Sequence, residues 1–139
     1  MDDDYDEAYE AGVMQGSVSE FAGAVIGSRI VRVEKRTNLP GYGNSNALDF
    51  TLDNGNVVTL ADTDDCCAYT MVENFEFLEG SENAITSVDT QDGFQTWFVY
   101  AEGVPVVRMG VDWSPGNPYY YGFGFNVTVK EKEATNGND

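Results

Sequence analysis

The chain has no histidine and only seven lysines and arginines in 139 residues. The first absence excludes Ser-His-Asp and Cys-His catalysis and any histidine-based metal site. The second leaves 24 acidic residues largely unopposed, for a net charge of −17. Direct binding of nucleic acid or of an anionic membrane needs a basic footprint, so both are disfavoured. The charge favours solubility and attraction to basic partners. A protein that itself occupies a nucleic-acid site would have the same balance. No apolar run approaches the ~18 residues of a membrane helix. The acidic N-terminus shows no basic region of a signal peptide. The expected location is therefore a reducing cytoplasm, with both cysteines as thiols.

What is present bounds the fold. Hydrophobic residues make up 42% and aromatics 13%, enough for one domain with a real core. Residues 1–20 read as an acidic flexible tail, with Gly12 and Gly16 interrupting any helix. Residues 21–130 read as a single β domain, opened by at most one short helical turn near Ser19–Ile26. Residues 131–139 read as a second flexible tail.

Inside the domain the pattern is that of strands. Leu48, Phe50 and Leu52 alternate, Asp53-Asn54-Gly55 supplies hairpin chemistry, and Asn56–Leu60 returns. Thr96–Tyr100, Ala101-Glu102-Gly103 and Val104–Met109 repeat that plan. At an offset of 48, Phe50 falls on Phe98, Gly55 on Gly103 and Val58 on Val106. Ile30–Glu34 also resembles Ile85–Asp89, which suggests a shared bulge. The sequence therefore suggests two related meander halves, 25–77 and 78–130, in an antiparallel sandwich or barrel-like sheet of about seven to eight strands. Odd positions from Tyr119 to Val129 form the core face of the last strand. The same alternation puts Trp97 and Val99 on an outer face, either covered by a second sheet or left as an apolar patch for a partner.

The densest chemistry lies at Asp62-Thr63-Asp64-Asp65-Cys66-Cys67-Ala68-Tyr69. Asp62, Asp64, Cys66 and Glu73 match four positions of a calcium loop. However, cysteine stands where an oxygen ligand and a glycine are required. Zinc would want four ligands, and the neighbouring carboxylates work against thiolate formation. The expectation is a metal-free structural loop, with that four-residue set as the weak alternative and no cofactor. Under the offset, Asp112-Trp113-Ser114-Pro115-Gly116-Asn117-Pro118 is the equivalent loop, and the two could border one surface. The candidate binding residues are Asp62, Asp64, Asp65, Tyr69, Trp97, Asp112, Trp113 and Tyr120.

On Leu52-Asp53-Asn54-Gly55, the acid-Cys-Cys-Ala-Tyr stretch, Thr96-Trp97-Phe98 and Tyr121-Gly122-Phe123-Gly124-Phe125, the chain resembles a family of small proteins of unknown function. These are encoded by actinobacterial bacteriophages and some of their hosts. The resemblance covers roughly residues 25–130. It implies a phage-encoded protein acting in the cytoplasm of a bacterial host, and transfers no catalytic residues.

Three functions remain open. The first is a non-enzymatic interaction protein that binds a host or phage protein with a basic surface, imitation of a polyanion being one route. The second is a structural or virion-associated β protein. The third is a metal-binding protein or a carboxylate enzyme using Asp62, Asp64, Asp65 and Asp112.

Overall fold

The computed structural model describes residues 3–37, 46–65, 68–78, 82–115 and 123–131. One helix, α1 (Asp3–Val25), precedes nine strands. These are β1 (Ile30–Arg36), β2 (Ala47–Leu52), β3 (Val57–Ala61), β4 (Thr63–Asp65), β5 (Ala68–Phe77), β6 (Ser87–Gln91), β7 (Thr96–Ala101), β8 (Val104–Ser114) and β9 (Asn126–Lys130). They form two antiparallel sheets that pack as a sandwich. The first sheet is ordered β1-β2-β3-β9 and the second β4-β5-β8-β7-β6.

Each half of the chain is a three-stranded meander, β1-β2-β3 and β6-β7-β8, and each gives its fourth strand to the other sheet. β9 pairs with β3, placing Leu60 opposite Val127, and β5 pairs with β8, placing Met109 opposite Phe75. The exchange ties the halves together through main-chain hydrogen bonds.

The register corrects the offset read from sequence. Phe50 pairs with Val58 and Leu48 with Leu60; Val99 pairs with Val107 and Trp97 with Met109. The equivalence is therefore one residue longer than 48, and Phe50 corresponds to Val99. Burial agrees. Leu48, Phe50 and Leu52 are buried in β2, and Trp97, Val99 and Ala101 in β7. Phe98 and Tyr100 face outward. A hydrophobic run on both parities hides which face is inner, and aligning the two phenylalanines chose the wrong one. The bulge expected in both halves occurs in β1, between Ile30 and Arg32, whereas the β6–β7 register runs without a shift.

The tail expected over residues 1–20 is corrected too, since residues 3–25 are a helix. Met14, Ser17, Val18, Phe21 and Val25 recur at helical spacing and are buried. Phe21 contacts Phe50 at 4.9 Å and Trp97 at 6.2 Å between ring centroids, so the helix fills the core between both halves. Gly12, Gly16 and Gly23 cost helix propensity, about 1 kcal/mol each. Burial of a Phe or Met side chain returns roughly 1.5–3 kcal/mol, which decides the balance. Gly27, at φ 93°, ends the helix, and its N–H donates to the Ile85 carbonyl.

The last strand is shorter than its alternation suggests. Phe125 is buried, Phe123 and Val127 are half-buried, and Val129 is exposed. Gly124, at φ 91°, breaks the alternation just before β9. Tyr119, Tyr121 and the tail from 132 onward lie outside the described residues.

Candidate functional site

The third strand of each meander is treated differently. β8 continues unbroken in one sheet from Val104 to Ser114. Its counterpart bends at Asp62, so that β3 pairs in the first sheet and β4 in the second. Asp62 sits inside this corner, and the equivalent position in β8 is Val111. Its Oδ1 accepts the Val72 N–H at 3.3 Å. Burial pushes its carboxyl up to about 6, against the opposing pull of the Val72 N–H, Lys35 and the Asn46 N–H. Asp62 is therefore a corner residue, separate from the exposed Asp64.

The outer face of the second sheet gathers more of the candidates. β4 places Asp64 opposite Tyr69, and β5 places Tyr69 opposite Ser114. The Tyr69 hydroxyl donates to Asp112 Oδ1 at 3.3 Å. The negative charge of Asp112, then partial desolvation, that hydrogen bond and Glu73 raise the Tyr69 pKa. Asp112 is thus on a strand, opposite Met71, and not in a loop equivalent to the one at Asp62.

A bulge in β5, between Val72 and Asn74, opens a groove of about 450 Å³ beside this cluster. It is lined by Glu73, Asn74, Gln95, Thr96, Arg108, Gly110 and Asp112, among others. Gly110 has a reason to lack a side chain, because a Cβ there would lie 2.8 Å from Asn74 Oδ1. Next to the groove, one row crosses the sheet from Asp89 through Phe98 and Arg108 to Glu76. Arg108 Nη2 pairs with Glu76 Oε1 at 3.0 Å. Phe98 and Tyr100 lie together on this face, 6.0 Å apart.

Charge is segregated between the sheets. The strands of the second sheet carry six acids (Asp64, Asp65, Glu73, Glu76, Asp89, Asp112) and one base, Arg108. The strands of the first carry four bases (Arg32, Lys35, Arg36, Lys130) and two acids (Glu34, Asp49). On that face Arg36 holds Asp49 at 2.6 Å, and Thr59 donates to the same carboxylate at 2.6 Å. Burial raises the Asp49 pKa, but the bonds from Arg36 and Thr59 outweigh it and hold the carboxyl below its usual value.

The remaining candidates are structural or lie elsewhere. Trp97 is fully buried, donates its indole N–H to the Phe94 carbonyl at 2.9 Å and meets Phe125 edge-on. It is a core residue, so the reading of it as part of an exposed patch is corrected. Trp113 points inward at the end of the sandwich, stacked on Phe123 at 5.8 Å, with its indole N–H bonded to the Gly93 carbonyl. Asp65 pairs with Ala68. Cys66, Cys67 and Tyr120 lie outside the described residues, and with Cys66 so does one member of the Asp62-Asp64-Cys66-Glu73 set. Among the described residues, no group of three potential ligands could hold a metal ion.

Sequence reasoning missed Asn74, Phe98 and Tyr100, and singled out Glu73 only within the weak calcium alternative. Gly110 inside an apolar strand was the available signal, since an interior strand glycine marks a bulge or a close approach.

Among the described residues, no helix is long and apolar enough to cross a membrane. No curated protein and no solved structure matches the chain. A family profile matches residues 23–127, from the last turn of α1 into β9, and the chain belongs to that family, a domain of unknown function (DUF7448).

Proposed function

We propose that the protein is a non-catalytic binding module that docks a basic protein surface on the outer face of its second sheet. The charge segregation carries the reading: on this sheet Asp64, Glu73, Glu76, Asp89 and Asp112 stand against one base, with that base already paired to Glu76. An unneutralised acidic face accelerates encounter with a basic partner and selects against acidic ones. Phe98 and Tyr100 at its centre are the residue type that anchors interfaces once water is excluded. Carboxylates spaced across a sheet also suit imitation of a polyanion. The setting implied by the sequence resemblance is a phage-encoded protein meeting a host or phage partner in bacterial cytoplasm. Assembly through sheet edges is less favoured, because edge strand β1 carries four charged residues that blunt strand addition.

The test is capture from bacterial lysate at low and high salt. The wild type is compared with Glu73→Gln/Asp89→Asn/Asp112→Asn, and with Arg32→Gln/Lys35→Gln on the first sheet. The expected partner is basic, elutes with salt, and is lost by the first variant only. Capture unchanged by the triple variant would refute the assignment of this face.

A further inference from the structure

A second cleft lies between α1 and the first sheet and shares no lining residue with the groove at the β5 bulge. Its volume is about 410 Å³, within the roughly 300–1,000 Å³ of small-molecule sites. Phe125, 5% exposed, lines it together with Ala61 and Val127. Its polar lining is Glu20 from α1, Asp62 from the β3–β4 corner, and Asn126 and Thr128 from β9.

Asp62 is the unusual member. It is only 9% exposed and forms no salt bridge among the described residues. Lys35 acts on it only beyond ion-pair distance, so the cost of burying the carboxylate is offset only in part. The equivalent position in the other half, Val111, is buried as a hydrophobe, and the acid at Asp62 spends one oxygen on the Val72 N–H at the corner. Glu20, across the cleft, has no hydrogen bond or ion pair among the described residues. The same cleft therefore offers a buried carboxylate, a second free one, neutral polar groups and an apolar floor.

We propose that this cleft binds a primary alkylammonium, with the ammonium at Asp62 and Glu20 and the hydrocarbon stem on Phe125 and Val127. A compact ammonium presents three donors, which match two carboxylates and the oxygens of Asn126 or Thr128. A divalent metal ion fits less well: it takes six or more oxygen ligands, and part of this lining is hydrocarbon. The charged groups facing Asp62 are Glu20 from α1 and Lys35 from β1; β5 offers it a main-chain N–H, and β9 only neutral polar groups. Its carboxyl, pushed up to about 6 chiefly by burial, would be drawn down by the bound cation. Binding therefore releases a proton, and affinity falls as pH drops through that value.

The test uses the full chain, n-butylamine as the probe, and calorimetry with amide chemical shifts as readouts. Tetramethylammonium, which has no N–H, and magnesium chloride at matched ionic strength are the controls. Saturable binding of n-butylamine at about pH 8 is expected, with shifts at Ala61, Asn126 and Val127 and weaker affinity at about pH 5. Asp62→Asn should lose roughly tenfold in affinity, the equivalent of one charge-assisted hydrogen bond. Glu20→Gln, on an exposed helix position, leaves the fold intact and should also weaken binding, so the test survives if Asp62→Asn fails to fold. The proposal is overturned by an absence of saturable binding, by unchanged affinity in Glu20→Gln, or by equal binding of tetramethylammonium or magnesium. None of these readouts involves the second-sheet face.

Discussion

The two meanders share their inner faces and differ on their outer ones. Inside, Leu48, Phe50, Val58 and Leu60 of the first half correspond to Trp97, Val99, Val107 and Met109 of the second, and all eight are buried. Outside, Asp49 with its arginine and threonine partners corresponds to Phe98, and Thr59 to Arg108. The core tolerates only apolar residues of compatible volume, so both copies stay alike there. The outer faces have no such constraint. One became a neutralised polar surface and the other an aromatic, acidic one. The single inner position that breaks the rule is Asp62 against Val111, where β3–β4 bends and β8 does not.

The most damaging way to test this equivalence is at adjacent residues of β7. Trp97→Ala should destabilise the protein by about 3–5 kcal/mol, with Leu48→Ala costing about 2–5 kcal/mol. Phe98→Ala, on the outer face, should cost about 1 kcal/mol or less. Urea unfolding of the three variants decides it, and a larger loss for Phe98 than for Trp97 would restore the one-residue-shorter equivalence.

The fourth strands reach their sheets differently, which gives a second test. β5 follows directly from a hairpin with β4. β9 follows Gly124, whose N–H donates to Thr70 Oγ1 and whose carbonyl accepts from Thr63 Oγ1. The next residue, Phe125, donates its N–H to Ser17 Oγ of α1. A Cβ at Gly124 would meet that Ser17 oxygen at 2.8 Å, at a positive φ that side chains rarely adopt. Gly124→Ala should therefore cost about 1–3 kcal/mol from strain alone. A thermal midpoint equal to wild type would show that α1 is not held to β9 in this way.

The Asp62/Val111 difference is sharpened by pH. The folded carboxyl titrates at about 6, above its ordinary 3.8, so the native state holds the proton more tightly than the unfolded state. The stability associated with the protonated form is complete below the ordinary value and is lost as pH rises through about 6. Asp62→Asn removes that slope. Relative to wild type, its thermal midpoint should rise between pH 3.8 and about 6 and stay level above. Parallel pH profiles for the two proteins would contradict a raised carboxyl at the corner.

The smallest expected effect concerns the element that belongs to neither half. Gly16 has open space where a Cβ would stand, so Gly16→Ala should stabilise the protein by about 0.5–1 kcal/mol. Chemical denaturation would detect it, and a loss of stability would mean that this face of α1 is in contact with something.

Much of the fold was legible because β structure writes a local code. Alternation in Ala47–Leu52, the Asp53-Asn54-Gly55 turn and its counterpart at Glu102-Gly103 identified both hairpins and suggested their kinship. The site was less legible. Tyr69, Asp64 and Asp112 were singled out by residue type, but their gathering on one face depends on β5 pairing with β8, across the chain from its own meander. Trp97 was misplaced because Trp97, Phe98, Val99 and Tyr100 are apolar on both parities, so periodicity could not say which pair was inside. The helix was missed because local propensity counts its glycines, while its stability comes from Phe21 meeting Phe50 and Trp97.

By itself the sequence determined the class of the fold, the positions of the hairpins, the acidity, and the exclusion of histidine chemistry. These follow from composition and from interactions between near neighbours in the chain. Only the tertiary structure decided the exchange of fourth strands, the parity of β7, the helical state of residues 3–25, the burial of Asp62 and the separation of charge between the sheets. Each of these rests on contacts between distant segments, whose free energy of burial exceeds the local preferences a sequence pattern can display.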